Sequence, residues 1–177
     1  MSVISAGGPQ QQGLSHGRAT SDYTVVVSSP RSVRFDDDVI RRLDRYVRSH
    51  PGTSASSVTN IFVDEALRAE EHPGIMFRPG PTGRRAGLVG GPDVWEVIGA
   101  LEAVRAEDPD LVGESLVEAV AEVAGLSPGM VRVAVRYYTA YPAEVDERIA
   151  ANREAAREAE AAWRAEQNLL RARDQAS

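Results

Sequence analysis

Hydrophobic and polar positions change their period several times along this chain, and each change marks an element. Ser32-Val33-Arg34-Phe35 alternates polar and apolar, the period of two that predicts a half-buried strand. Asp36, Asp37 and Asp38 follow, an acidic run suited to capping a helix and to the positive end of its dipole. Val39, Ile40, Leu43, Tyr46 and Val47 then fall on one helical face, with Arg41, Arg42, Asp44, Arg45 and Arg48 opposite. Pro51-Gly52 ends that helix. Thr53 or Ser54 caps a second one, whose expected core face is Val58, Ile61, Phe62 and Ala66 and which frays near Glu70-Glu71.

The pattern then breaks. Ile75–Arg78 and Arg85–Val89 flank Pro79-Gly80-Pro81-Thr82-Gly83, which reads as a β-hairpin. Gly90-Gly91-Pro92 opens a helix through about Arg105, with Val94, Trp95, Ile98 and Leu101 expected inside. A helix near Glu114–Val123, a turn at Gly125-Leu126-Ser127-Pro128 and a helix over about Gly129–Thr139 come next. From Pro142 a helical pattern runs to about Arg171. Met1 to Asp22 has no periodicity and reads as a disordered tail, and Tyr23–Val27 is β-prone but short. The expected fold is mainly α with small β elements. Its expected parts are a tail over 1–22, a strand–helix–helix unit over 23–71, a β-hairpin and helix-turn-helix-like domain over 72–141, and a long helix over 142–177.

Composition narrows the chemistry. With no Cys among 177 residues, disulfides, thiolate nucleophiles and Cys-ligated zinc are excluded. All 20 basic residues are Arg, so the lysine of phosphate-binding loops and Schiff-base lysines are excluded too. His16, His50 and His72 are too scattered for a local ligand pair and read as loop histidines facing solvent. Gly80-Pro81-Thr82-Gly83-Arg84-Arg85 lacks the Lys of a phosphate loop and is read as a hairpin turn. Glu65, Glu102, Glu118 and Glu122 read as helix-surface carboxylates, so neither catalytic residues, a metal nor a cofactor is expected. There is no apolar run of membrane length, and the N-terminus is neither basic nor apolar, so a cytoplasmic location is expected.

The net charge of −6 argues against a uniformly basic nucleic-acid binder. One stretch differs. Between Arg31 and Arg48 there are six Arg (31, 34, 41, 42, 45, 48) against four Asp (36, 37, 38, 44). In the same stretch a lone short strand and two amphipathic helices make a unit too small to hold a core by itself. Two copies solve this: the strands pair antiparallel across a two-fold axis, and four helices close over their apolar face.

The strings S-V-R-F-D-D-D-V-I-R-R-L and P-G-T-S-A-S-S-V-T-N-I-F-V-D-E-A-L resemble the ribbon-helix-helix family of the CopG, Arc and MetJ type. The resemblance implies a homodimer that inserts a two-stranded ribbon into the major groove of operator DNA. With Val33 and Phe35 facing inward, Ser32 and Arg34 face outward to the bases, and Arg31, at the strand's end, reaches a phosphate or solvent. Thr53, Ser54 and Ala55, at the start of the second helix, would present backbone N–H groups to phosphate. The ribbon carries fewer basic residues than is usual in that family, which implies weak affinity per dimer and assembly into higher even oligomers.

A second resemblance covers about Gly74 to Tyr141. G-I-M-F-R-P-G-P-T-G-R-R-A-G-L-V-G-G-P-D-V-W-E-V-I and A-E-V-A-G-L-S-P-G-M-V-R-V-A-V-R-Y-Y are similar to the hairpin and helix-turn-helix of VapB-like antitoxins, which pair with PIN-like toxins. In that helix-turn-helix Ala121, Gly125 and Val131 or Val133 pack the turn. Arg132, Arg136 and Tyr137 are expected outside, Arg132 and Arg136 as a second DNA contact. On the last helix Val145, Ile149, Trp163, Leu169 and Leu170 are the expected toxin-binding residues. The implied function is an autorepressing antitoxin of a PIN-like ribonuclease. A stand-alone regulator of plasmid copy number or partition, and an assembly scaffold that does not bind DNA, are the alternatives.

Overall fold

The computed structural model describes residues 32–81 and 83–174. The expected tail, the Tyr23–Val27 segment and Arg31 lie outside them. Two compact units divide at Asp36, the second running over Asp37–Ser177, and each is described by itself. In the first, Ser32–Asp36 is not in a strand, and Val33 and Phe35 are exposed. This differs from the half-buried strand that the alternation predicts. A strand is held by hydrogen bonds to a neighbour, and no described residue of this one chain supplies them.

The second unit holds six helices and one hairpin among the described residues. Helix α1 (Asp37–Ser49) has Asp37 and Asp38 in its first turn and Arg48 in its last, matching the sign of the helix dipole at each end. Helix α2 (Ala55–Glu71) is capped by Ser54, whose Oγ accepts from the Ser57 N–H at 3.1 Å. Thr53 instead donates its hydroxyl to the His50 carbonyl at 2.8 Å, closing the turn before the helix. Strands β1 (Ile75–Gly80) and β2 (Gly83–Leu88) pair antiparallel, with Ile75 opposite Leu88, Arg78 opposite Arg85 and Gly80 opposite Gly83.

Helix α3 (Val94–Glu107) starts at Asp93, whose N–H donates to the Glu96 carboxylate at 2.7 Å. Helix α4 (Gly113–Ala124) ends on Gly125 at φ 66, the left-handed conformation in which a side chain is strained. The Leu126 N–H then closes on the Ala121 carbonyl at 2.8 Å. Helix α5 (Pro128–Ala140) is capped by Ser127 and opened by Pro128. Helix α6 (Pro142–Asp174) spans 33 residues, about 50 Å at 1.5 Å per residue.

One hydrophobic core joins the hairpin to α3, α4, α5 and the start of α6. At its centre are Leu88, Val94, Val97, Ile98, Val120, Val131, Ala134 and Tyr137, with Val145 and Ile149 from α6. The first turns of the long helix therefore belong to this core. By contrast, α1 buries no residue fully and α2 buries only Val58. Of the expected core face of α2, Phe62 is half-buried, while Ile61 and Ala66 are exposed. No helix among the described residues is long and apolar enough to cross a membrane.

Candidate functional site

In the first unit Ser32 and Arg34 are exposed. In the second, the α1–α2 pair exposes both polar and apolar side chains, and the exposed Thr53, Ser54 and Ala55 come together where α2 starts. The N–H groups of that first turn have no partner in the preceding helical turn, and only that of Ser57 is taken by the Ser54 cap. On α1, Arg41 is ion-paired with Asp38, and Arg42 Nε donates to the Asp38 carbonyl at 3.2 Å. Arg45 and Arg48 are exposed.

Apolar side chains are exposed on both helices, and at 100° per residue those of α2 lie on more than one side of it. Ile40 is 42% exposed, Ile61 44%, Val63 50% and Leu67 58%. Between the two helices Tyr46 meets the Phe62 ring edge-on at 5.1 Å, and at the end of α1 Tyr46 also stacks on His50 with ring centres 3.9 Å apart.

Two arginines fasten α2 to the rest of the unit. Arg84 of β2 donates from Nε to both Glu65 oxygens, at 2.6 and 2.8 Å, and lies over the Phe62 ring. The Glu65 carboxylate holds the Arg84 guanidinium above its ordinary pKa, against the opposing effect of burial. Arg68 of α2 pairs with Asp64 on its own helix. It also reaches Glu144 of α6 at 2.5 Å and the Tyr137 hydroxyl at 3.2 Å, over the face of Tyr141. Burial works against the Arg68 cation, but its bonds to Tyr137 and Glu144 outweigh this and raise its pKa.

The helix-turn-helix residues divide. Ala121 and Val131 are buried and pack the turn, Val133 is half-buried, and Gly125 takes the left-handed turn conformation. Arg132 is half-buried and ion-paired with Glu114, while Arg136 is exposed beside Glu71 and His72, lining a hollow of about 370 Å³. Tyr137, expected outside, is fully buried. Its position on α5 turns the ring into the core, while its hydroxyl donates to Glu144 and accepts from Arg68. Burial, reinforced by the Glu144 charge, pushes its phenol pKa up, and Arg68 opposes this.

The expected toxin-binding residues divide as well. Val145 and Ile149 are closed into the core, so they offer no surface to a partner and are not docking residues. Helices α3 and α5 already cover the face of α6 on which they lie. Trp163, Leu169 and Leu170 are exposed. From Ala150 to Arg171 every α6 side chain is exposed except the half-buried Gln167, and Arg153 to Glu102 of α3, at 2.6 Å, is a tether near the start of this stretch.

One constellation has no counterpart among the residues singled out from sequence. Asp93, 3% exposed, sits between Arg78 and Arg85. Its Oδ1 is 2.7 Å from Arg78 Nε, its Oδ2 is ion-paired with Arg85, and Trp95 Nε1 donates to Oδ2 at 3.3 Å. The signal was present in the hairpin: register puts Arg78 opposite Arg85, and like charges facing each other call for an acid between them.

His72, read as a solvent-facing loop residue, is half-buried and packs edge-on against Tyr137 and Tyr141. His50 is exposed, and His16 lies outside the described residues. Among the described residues no group of three or more His, Cys, Asp or Glu converges as metal ligands would. Comparison with protein-family models, with curated proteins and with solved structures finds no match to this chain.

Proposed function

We propose that the chain is a homodimeric DNA-binding repressor of the ribbon-helix-helix kind and the antitoxin of a PIN-like ribonuclease. The observation that carries this reading is the set of large apolar side chains left exposed on α1 and α2. Two amphipathic helices that bury Val58 alone leave Ile40, Ile61, Val63 and Leu67 half in water. Covering the exposed half of each is worth about 1 kcal/mol, and a second copy covers both sets at once. The same dimer gives the alternating Ser32–Phe35 segment the neighbour that a strand requires.

In that dimer Arg34 and Ser32 face the groove from both strands of the ribbon. The exposed start of α2 at Thr53, Ser54 and Ala55 takes a phosphate on its N–H groups. Arg132 and Arg136 on α5 are a second contact of lesser weight, since Arg132 is already paired with Glu114. The toxin contact falls to the outer part of α6, through Trp163, Leu169 and Leu170, large side chains of the type that anchors an interface.

Light scattering at micromolar concentration tests the dimer, and a gel shift on the DNA upstream of its own gene, at two salt concentrations, tests the repressor. A dimer that retards this DNA in a salt-dependent way is expected. Leu67→Asp, which places a charge on the shared face, should abolish both. Arg34→Ala should leave the dimer intact and weaken operator binding by about 1–3 kcal/mol per bidentate contact. A wild-type chain that is a folded monomer overturns the reading. For the toxin arm, Trp163→Ala should abolish neutralisation of the co-expressed nuclease while DNA binding persists, and unchanged neutralisation would remove α6 from that role.

A further inference from the structure

The Arg78–Asp93–Arg85 cluster forms one wall of a cleft of about 620 Å³ between the hairpin, the start of α3 and the face of α6. That volume is in the range of small-molecule sites. The opposite wall carries Arg148 and Asn152 of α6, and Trp95, Ala151 and Ala155 make an apolar side.

The arginines are held in place by the backbone as well as by charge. The strands carry the same spacing, Arg78-Pro79-Gly80 and Arg85-Ala86-Gly87, and each arginine lies across the glycine diagonally opposite. A Cβ on Gly87 would stand 2.6 Å from Arg78 Nη2 and 2.9 Å from its Cζ, and a Cβ on Gly80 would overlap the Arg85 guanidinium. Two side-chain-free positions thus let both guanidinium groups lie flat on the sheet face. Arg78 is fixed further by Nη2 donating to the Gly91 carbonyl at 2.8 Å, and Arg148 by Nη2 donating to the Arg84 carbonyl at 3.0 Å.

Charge in the cleft runs against the rest of the chain. Three guanidinium groups line it against two carboxylates, Asp93 and Glu96, in a protein of net charge −6. Both carboxylates are engaged, Asp93 by the two arginines and Trp95, Glu96 by the Asp93 N–H. A guanidinium carries five N–H donors in a planar fork that matches an oxyanion. Arg78 spends two on its described partners, Nε on Asp93 and Nη2 on Gly91.

We infer that this cleft binds a small polyanion, a phosphate- or carboxylate-bearing ligand. Arg78, Arg85 and Arg148 hold the oxyanion, and the Trp95 side receives the ligand's apolar part. Acidic Asp93 is the scaffold that orders two of the three cations and stays paired when the ligand arrives. The inference concerns a face of the protein separate from the α1–α2 surface and stands or falls without it.

Trp95 and Trp163 are the two tryptophans of the chain, so Trp163→Phe leaves Trp95 as the fluorescent reporter inside the cleft. Full-length Trp163→Phe protein is titrated with sodium pyrophosphate and, separately, with sodium citrate, at constant ionic strength. A saturable change in Trp95 emission with either probe is expected, and the probe that saturates at lower concentration identifies the headgroup. Arg148→Gln in the same background should raise the half-saturation concentration by about tenfold or more. Its unchanged melting temperature without ligand would show that the fold is intact. Should that variant melt lower, Arg148→Met, which keeps the side-chain stem and removes the charge, takes its place. No saturable change with either probe, or equal titrations with and without the Arg148 charge, overturns the inference.

Discussion

Replacing Asp93 by Asn removes one charge and almost no volume, and the consequence can be worked from the geometry. The carboxylate is 3% exposed and is shared by two guanidinium groups that register places opposite each other on the hairpin. Removing one partner of a buried ion pair costs about 3–5 kcal/mol, because the remaining charge is stranded. Here two like charges are left facing each other. Arg78 and Arg85 are 32% and 28% exposed, so water relieves part of this, and the lower end of the range, about 3 kcal/mol, is the expected loss. For a chain of this size that is a fall in melting temperature of about 6–12 °C.

Calorimetric melting of wild type and Asp93→Asn at neutral pH measures it. Adding Arg85→Gln to Asp93→Asn should recover part of the loss, since the facing cation is then gone. A single variant that melts within about 2 °C of wild type, or a double variant that melts lower than the single one, would refute the reasoning.

Other expectations are as definite. Gly125→Ala puts a side chain at φ 66 with no atom near its Cβ, so the cost is backbone strain alone, about 1 kcal/mol by urea unfolding. Gly87→Ala should push the Arg78 guanidinium off Asp93, so its effect and that of Arg78→Gln should be strongly non-additive in a double-mutant cycle. The buried Tyr137 has its pKa raised above the usual tyrosine value, so above about pH 10 the unfolded chain loses a proton that the folded chain keeps. Stability is therefore fully present below that pH and falls as pH rises beyond it; Tyr138, raised by its bond to Asp146, acts in the same direction. Tyr137→Phe should flatten this alkaline limb in pH-dependent melting, and an unchanged limb would refute Tyr137 as its source.

Local chemistry made most of the elements legible from the sequence. Ser54 and Ser127 cap their helices by bonding N–H groups three residues on. Gly125 supplies the left-handed turn, Pro128 and Pro142 open helices, and the short hairpin link between Gly80 and Gly83 sets a register. Each depends on neighbours within a few residues, and helix C-terminal ends shifted by at most three residues for that reason.

What depends on distant partners was decided by the tertiary structure. An α6 stripe of Val145, Ile149 and Trp163 reads as one continuous face, yet the core takes the first two and leaves the third in water, because α3 and α5 reach only the beginning of the helix. Tyr137 and Arg136 are adjacent in sequence, but only Tyr137 faces the core with Arg68 and Glu144 at its hydroxyl. The Ser32–Phe35 alternation marks a strand by its side chains, but a strand exists only with a hydrogen-bonded neighbour, which periodicity does not supply. Asp93 shows the same division most sharply. A helix start beside Gly90-Gly91-Pro92 was legible locally, whereas the cap at Asp93 and its place between Arg78 and Arg85 exist only once the hairpin folds back on α3.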